Sequence, residues 1–251
     1  LDSLNNNVAL ITGSGSGIGA ATALLFAREG ADIVIVDINE ERAKNISDEI
    51  EKIGRRALTI IADVSKDDKA QEIIKKTIDT FGKLDILINN AGIFKCGTIL
   101  NGDIMKVYNQ IMNTNLRAVI LLTSLATPYL VQTKGCIVNI SSVAAYSPKE
   151  ASMSPVYAVS KAGVSRFTKA AASELAAVGV RVNAVAPGPV ATNIAEGSGL
   201  AQSLPDYASN VPLGRISDPS EIAELVLYLV GDKARSITGS CYVIENGMML
   251  K

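Results

Sequence analysis

Short apolar runs rich in β-branched residues return at intervals along this chain, and no other feature limits its fold as strongly. They read VALIT at 8–12, DIVIVD at 32–37, ALTIIAD at 57–63, LDILINN at 84–90, CIVNIS at 136–141, VRVNAVAP at 180–187 and CYVIE at 241–245. A run without polar alternation suits a strand covered on both faces. Each stretch between runs is long enough for a crossover helix, so the pattern is repeated βαβ. The expected fold is α/β: a doubly wound, mostly parallel sheet of seven strands with helices on both faces. Helices are predicted over 17–28, 40–53, 67–81, 103–130, 155–177 and 219–229.

With 251 residues, 48% of them hydrophobic, the chain can build one large core, and a single domain over 1–251 is expected. The segment 193–214, NIAEGSGLAQSLPDYASNVPLG, shows no clear period and reads as an inserted substrate loop or lid. The 24 basic and 25 acidic residues nearly cancel and form no basic stripe, which argues against a nucleic-acid partner. The first residues lack the order of a signal peptide, and no apolar run is read as approaching the length of a bilayer span. A soluble, cytoplasmic protein without a membrane partner is expected.

Cys96, Cys136 and Cys241 are odd in number and have no CxxC spacing, so neither a disulfide framework nor a metal site is indicated; all three read as core or near-core thiols. Histidine is absent altogether. That removes a Ser-His-Asp triad, an HExxH zinc site and any histidine base. Proton chemistry falls to Asp, Glu, Tyr, Lys, Cys or Ser.

Between the first strand and first helix, TGSGSGIG carries Gly13, Gly15, Gly17 and Gly19. Glycines there let backbone approach a pyrophosphate, which the free N–H groups of the helix N-terminus attract. A plain tight turn would also use them. Asp37 closes the second strand, where a carboxylate can accept from an adenosine ribose diol and repel a 2′-phosphate; it could instead cap the next helix. Ser16 and Ile38, the neighbours of these two features, are uncharged, which points to NAD rather than NADP. Asp63 ends the third run, placed for an adenine edge or for a helix cap, and Asn89, Asn90, Ala91 and Gly92 end the fourth.

The stretch SPVYAVSKAGVSRF sets Tyr157 and Lys161 one turn apart on a helix opened by Pro155 at its first position and Ser154 as its cap. An ammonium beside a phenol favours the phenolate and lowers its pKa from about 10. A surface pair would look the same in sequence.

Taken in order, TGSGSGIG, NNAG, Asn115 in MNTNLRAV, ISS at 140–142, YAVSK and PGPVAT at 187–192 resemble the short-chain dehydrogenase/reductase family in its single-domain, Rossmann-like form, over nearly the whole chain. The resemblance implies Tyr157 as general acid/base, Lys161 as the group that lowers its pKa and binds the nicotinamide ribose, Ser142 as the substrate-orienting hydroxyl with Ser141 the neighbour to test against it, and Asn115 holding a water chain to Lys161. It further implies dinucleotide contacts from Gly13, Ser16, Gly17, Ile18, Gly19, Asp37, Ile38, Asp63, Val64, Asn90, Ala91, Gly92, Pro187, Gly188, Val190 and Thr192. The implied activity is hydride transfer between NAD(H) and a secondary alcohol or ketone. A homo-oligomer, dimer or tetramer, follows from the resemblance as well.

Glu245-Asn246-Gly247 stands where the family often has Asp-Gly-Gly; asparagine tolerates positive φ better than most residues. Two other readings stay open: a catalytically idle dinucleotide sensor, and a methyltransferase on a similar fold, which would have no need of the Ser142, Tyr157 and Lys161 set. Ile93 to Cys96, Val143 to Ser154 and the 193–214 segment read as the substrate wall, and the two charges of that segment, Glu196 and Asp206, among apolar Ile194, Leu200, Leu204 and Tyr207, suggest a neutral substrate.

Overall fold

Along β1 (Val8–Thr12) all five residues are buried: Ala9 and Ile11 enter one apolar cluster, Val8 and Leu10 another. The two-residue period of a strand thus divides one uninterrupted run between two cores. The computed structural model describes residues 3–148, 152, 154–195, 208–209 and 211–250. Among these, β1, β2 (Asp32–Asp37), β3 (Ala57–Ile61), β4 (Ile86–Asn89), β5 (Cys136–Ile140), β6 (Arg181–Pro187) and β7 (Cys241–Ile244) form one seven-stranded parallel sheet in the order β3-β2-β1-β4-β5-β6-β7.

Helices cover both sides. α1 (Gly17–Arg28), α2 (Glu40–Lys52) and α7 (Pro219–Val230) close the first core with Phe26, Ile46, Ile50, Val226 and Leu229. α3 (Asp67–Phe81), α5 (Ala118–Thr133) and α6 (Pro155–Leu175) close the second with Ile73, Leu122, Leu130, Ala171 and Leu175. The Rossmann-like arrangement expected from the runs is therefore present. From β1 the chain winds outward through β2 to β3, then returns to β4 on the other side of β1. At that reversal the strand carboxyl ends part, which leaves a crevice for a ligand.

Two expectations need correction. The helix anticipated over 103–130 is α4 (Ile104–Met112), a π-helical turn at Asn113–Arg117, and α5. The whole helical run Ile104–Thr133 spans 30 residues and, at a mean hydropathy of 1.2, is long and apolar enough to cross a membrane by length and composition, contrary to the reading that no run approaches it. Here its apolarity serves packing: Ala118, Leu122, Ala126 and Leu130 lie in the second core. Cys96 is exposed rather than near-core, Cys136 is buried and Cys241 is half-buried. Of the anticipated substrate loop, Glu196, Leu200, Leu204, Asp206 and Tyr207 lie outside the described residues.

Candidate active site

Close packing rather than flexibility explains the glycine turn. Gly13 and Gly17 have φ of +64° and +55°, a region that disfavours side chains. A Cβ on Gly19 would come 2.2 Å from the Gly13 carbonyl oxygen. Gly19 is buried and does not line the cleft. Its lack of a side chain lets α1 pack against the turn. Asn90 clamps the turn from β4, its amide donating to the carbonyls of Thr12 and Gly13 at 2.8 and 3.1 Å. Ser14 holds it from below, donating to Ile11 and accepting from the Val36 N–H.

Asp37 faces this turn. One carboxylate oxygen accepts from Gly15 N–H and the other from Asn39 N–H, at 2.8 and 2.9 Å. It does not cap α2; Asn39 does, accepting from Arg42 N–H. Asp63 is no cap either, since its carboxylate accepts from Ser65 N–H within a local turn. Sequence reasoning looked for basic neighbours only at positions 16 and 38. The structure adds Arg42 and Lys66 to the lining beside Asp37 and Asp63. The signal for Arg42 was available: it lies on the first turn of the helix that follows Asp37.

At the other end, Pro155 opens α6 as anticipated, but Ser154 caps nothing with its side chain; its hydroxyl donates to the Lys95 carbonyl. Tyr157 and Lys161 follow one turn apart. The Lys161 ammonium, buried, donates to the Ile140 carbonyl at 2.8 Å and sits 5.8 Å from the centre of the Tyr157 ring. Phe94 packs edge-on against that ring at 5.1 Å. The Ser142 hydroxyl accepts from Ala144 N–H and lines the same cleft as Tyr157. Ser141 points away, donating to the Lys161 carbonyl.

Asn115 falls within the π-helical turn, fully buried. Its amide is occupied by the Ile93 backbone, accepting from the N–H at 2.9 Å and donating to the carbonyl at 3.0 Å, with a further bond to Ser160. It fastens the loop after β4 to the helix and does not line the cleft.

Burial pushes the half-buried Tyr157 phenol above its usual range, while the Ser142 hydroxyl pulls it back. The expected lowering by Lys161 is not found. The ammonium is itself brought down to about 8 by burial and is directed at Ile140. Cys136, in the core, is pushed up to about 12 by the same desolvation and is chemically quiet.

Gly13, Ser16, Gly17, Ile18, Asp37, Ile38, Asp63, Val64, Asn90, Ala91, Gly92, Ser142, Tyr157, Lys161, Pro187, Gly188, Val190 and Thr192 line one cleft of about 1110 Å³. It runs along the strand carboxyl ends at the β1/β4 reversal. Of the anticipated residues, Gly19 and Asn115 stand behind it. The arrangement places hydroxyl, phenol and ammonium at one end of a groove whose other end has a backbone cradle and carboxylates.

Comparison with known proteins agrees with this geometry. The family model described as enoyl-(acyl carrier protein) reductase matches residues 13–249. A 3-oxoacyl-[acyl-carrier-protein] reductase, FabG, of Thermotoga maritima is 37% identical over 255 residues, covering 98% of this chain and 99% of that protein. A solved short-chain dehydrogenase/reductase of unknown function from Caenorhabditis elegans, determined with cofactor, has a TM-score of 0.91 at 34% identity, covering 99% of this chain and 97% of its own. L-sorbose reductase from Gluconobacter frateurii, complexed with NADPH and L-sorbose, has a TM-score of 0.91 at 29% identity, covering 100% of both chains.

Proposed function

The chain belongs to the short-chain dehydrogenase/reductase family, and we propose that it transfers a hydride between NAD(H) and a secondary alcohol or ketone, with Tyr157 as general acid and base. One observation carries this reading: Ser142, Tyr157 and Lys161 converge in the same cleft as the glycine turn and Asp37. The methyltransferase alternative has no use for that set.

The cleft suits a nicotinamide dinucleotide by its own geometry. A Cβ on Gly15 would meet the Asp37 carboxylate at 2.8 Å, and one on Gly17 would meet Thr192 at 3.0 Å, so the cradle exists only as bare backbone. Gly13, Ser16, Gly17, Ile18 and Thr192 would hold the phosphates, Asp37, Ile38, Asp63 and Val64 the adenosine end, and Asn90, Ala91, Gly92, Pro187, Gly188, Val190, Tyr157 and Lys161 the nicotinamide end. A dinucleotide bound there supplies or receives the hydride.

The chain's own part is proton handling and orientation. Ser142 and Tyr157 donate to the carbonyl oxygen of a ketone and so favour the charge that develops on it. Tyr157 then gives up its proton, or, in the reverse direction, takes one from the alcohol. Because burial raises the phenol, the free protein holds Tyr157 ready as a donor near neutral pH. Alcohol oxidation needs the opposite form and gains with rising pH. Lys161, still largely charged at pH 7, favours the phenolate during the exchange. Asn115 keeps the loop after β4 in register with this set.

Asp37 supports NAD over NADP, since a carboxylate repels a 2′-phosphate. Arg42 and Lys66 on the same wall act against it and reduce the margin. A neutral alcohol or ketone is the favoured substrate. The 3-oxoacyl-carrier reductase relative, together with Lys95 in the cleft lining, carries a second reading in which the ketone belongs to an anionic thioester carrier. Exposed Met105 and Ile120 on α4 and α5, and Tyr228 and Val243 on α7 and β7, support a homo-oligomer, dimer or tetramer. Three cysteines, odd in number and without CxxC spacing, suit a reducing, cytoplasmic setting.

The test is turnover of a panel of secondary alcohols and 3-oxoacyl thioesters with NAD(H) and NADP(H), with Tyr157→Phe as control. Turnover with NAD that vanishes in the variant supports the reading. A several-fold preference for NADP(H) overturns the cofactor assignment, and tight NADH binding with no turnover of any substrate supports the idle sensor.

A further inference from the structure

Next to Ser142, three side chains from the end of β5, the turn after it and α6 form a second hydrogen-bonded line, with Ser141 itself in the cleft lining. Tyr146, in the turn after β5, donates to the Ser165 hydroxyl of α6 at 2.9 Å. Ser165 bonds to Ser141 at 2.7 Å, and Ser141 to the Lys161 carbonyl at 3.0 Å. Each hydroxyl has one proton to give, while a carbonyl can only accept. Ser141 must therefore donate to Lys161, Ser165 to Ser141 and Tyr146 to Ser165. The end of the line fixes the direction of every bond in it. Because it terminates on a carbonyl it cannot pass a proton to the Lys161 ammonium; it can only position.

What it positions follows from the neighbours. Lys161 is held twice by consecutive residues at the end of β5: its ammonium by the Ile140 carbonyl, its own carbonyl by the Ser141 hydroxyl. The next residue is Ser142, which lines the same cleft as Tyr157. A serine inside a helix ordinarily bonds back to the carbonyl four residues earlier, which for Ser165 is Lys161. Here Ser141 occupies that carbonyl from the sheet, and Ser165 is turned to serve Ser141. Both serines are buried, at 2% and 7% exposure, so water does not compete for these bonds; Tyr146, at 40%, is accessible to it.

We propose that Ser141 is a positioning residue that ties β5 to α6 and sets the spacing of Ser142 against Tyr157 and Lys161, with Ser165 and then Tyr146 orienting its hydroxyl in diminishing degree. The proposal rests on the catalytic reading above. It predicts a graded series. Ser141→Ala frees the Lys161 carbonyl for Ser165 to bond back within the helix, so the helix stays satisfied while the tie to the sheet is cut.

The experiment measures kcat, KM, dinucleotide affinity and thermal midpoint in Ser141→Ala, Ser165→Ala, Tyr146→Phe and the conservative Ser141→Thr. Expected is a kcat loss of about tenfold in Ser141→Ala, about threefold in Ser165→Ala and less than about twofold in Tyr146→Phe. KM and dinucleotide affinity hold within about twofold, and Ser141→Thr recovers kcat. An unchanged kcat in Ser141→Ala, or a loss that tracks the thermal midpoint and is not rescued by threonine, overturns it. The same tie is read without substrate by alkaline titration of the Tyr157 phenol, identified as the absorbance change that Tyr157→Phe removes. Its midpoint moves in Ser141→Ala and stays in Tyr146→Phe; an unmoved midpoint in Ser141→Ala counts against the tie. Turnover surviving in Tyr157→Phe counts against the assigned reaction and leaves the titration to judge the tie by itself.

Discussion

The two ends of the cleft are built from different materials. At the adenosine end the working surface is backbone: bare glycines, the N-terminus of α1, and a carboxylate already bonded to two main-chain N–H groups. At the chemical end it is three side chains, Ser142, Tyr157 and Lys161, mounted on β5 and α6. A backbone surface cannot be altered without moving the elements that carry it, so damage there reaches stability. A side-chain surface can be stripped while the fold stands. Function and stability should therefore separate at one end and stay joined at the other.

The sharpest way to break that contrast is Tyr157→Phe. Loss of the phenol oxygen should lower kcat by about 10³-fold, with a thermal midpoint within about two degrees of the parent because the ring and its Phe94 contact remain. A large fall in the midpoint would show that the chemical end also carries the fold.

Gly19→Ala tests the other end. Its Cβ would meet the Gly13 carbonyl at 2.2 Å, with backbone on both sides of the contact. A destabilisation of about 3 kcal/mol is expected by denaturant unfolding, along with weaker dinucleotide binding. Normal stability would mean that α1 can shift freely, against the close packing seen here.

Lys161→Met should lower kcat by about 10²-fold and yet not destabilise the protein. Its sign with pH can be worked out. The ammonium sits at about 8 in the folded chain against an ordinary 10.5, so the folded state binds fewer protons than the unfolded state between those values. Stability of the parent from this group is lowest below about pH 8 and rises through the window toward 10.5. Any stability advantage of the methionine variant should be greatest below pH 8 and fade above it. An advantage that grows with pH would contradict the burial argument.

The smallest effect expected is Asp37→Asn, which keeps a hydrogen-bonding side chain but removes the charge. The proposed NAD preference should shrink by about tenfold, with kcat for the preferred cofactor little changed. An unchanged ratio would move discrimination to Arg42 and Lys66.

Much of this was legible before any coordinates. Uninterrupted apolar runs placed all seven strands to within two residues, because burial of both faces favours that composition in the five inner strands, and the half-buried edge strands β3 and β7 keep it too. The i, i+4 spacing of Tyr157 and Lys161 placed them on one helix face, and Asn246 does sit at a φ of +57°, as its tolerance for that region allowed. Other readings did not transfer. Asp37, Asp63 and Ser154 each looked like a possible cap, and none of their side chains caps a helix, since a cap depends on where the first free N–H groups point and not on residue type alone. The helix over 103–130 gave no sign of its π-helical turn, in which Asn115 bonds to the Ile93 backbone across the fold.

Local order and residue chemistry were thus determined by the sequence itself: strand, helix, glycine turn and the Tyr157/Lys161 pair all depend on neighbours within a few positions. Direction and environment were decided by the tertiary structure. Which of two adjacent serines faces the phenol, whether an ammonium lowers or merely accompanies a tyrosine, and which glycine lines the cleft rather than packs beneath the helix all depend on groups brought together from distant parts of the chain. Electrostatics and hydrogen bonds act over a few ångströms of space, and only folding determines what lies within them.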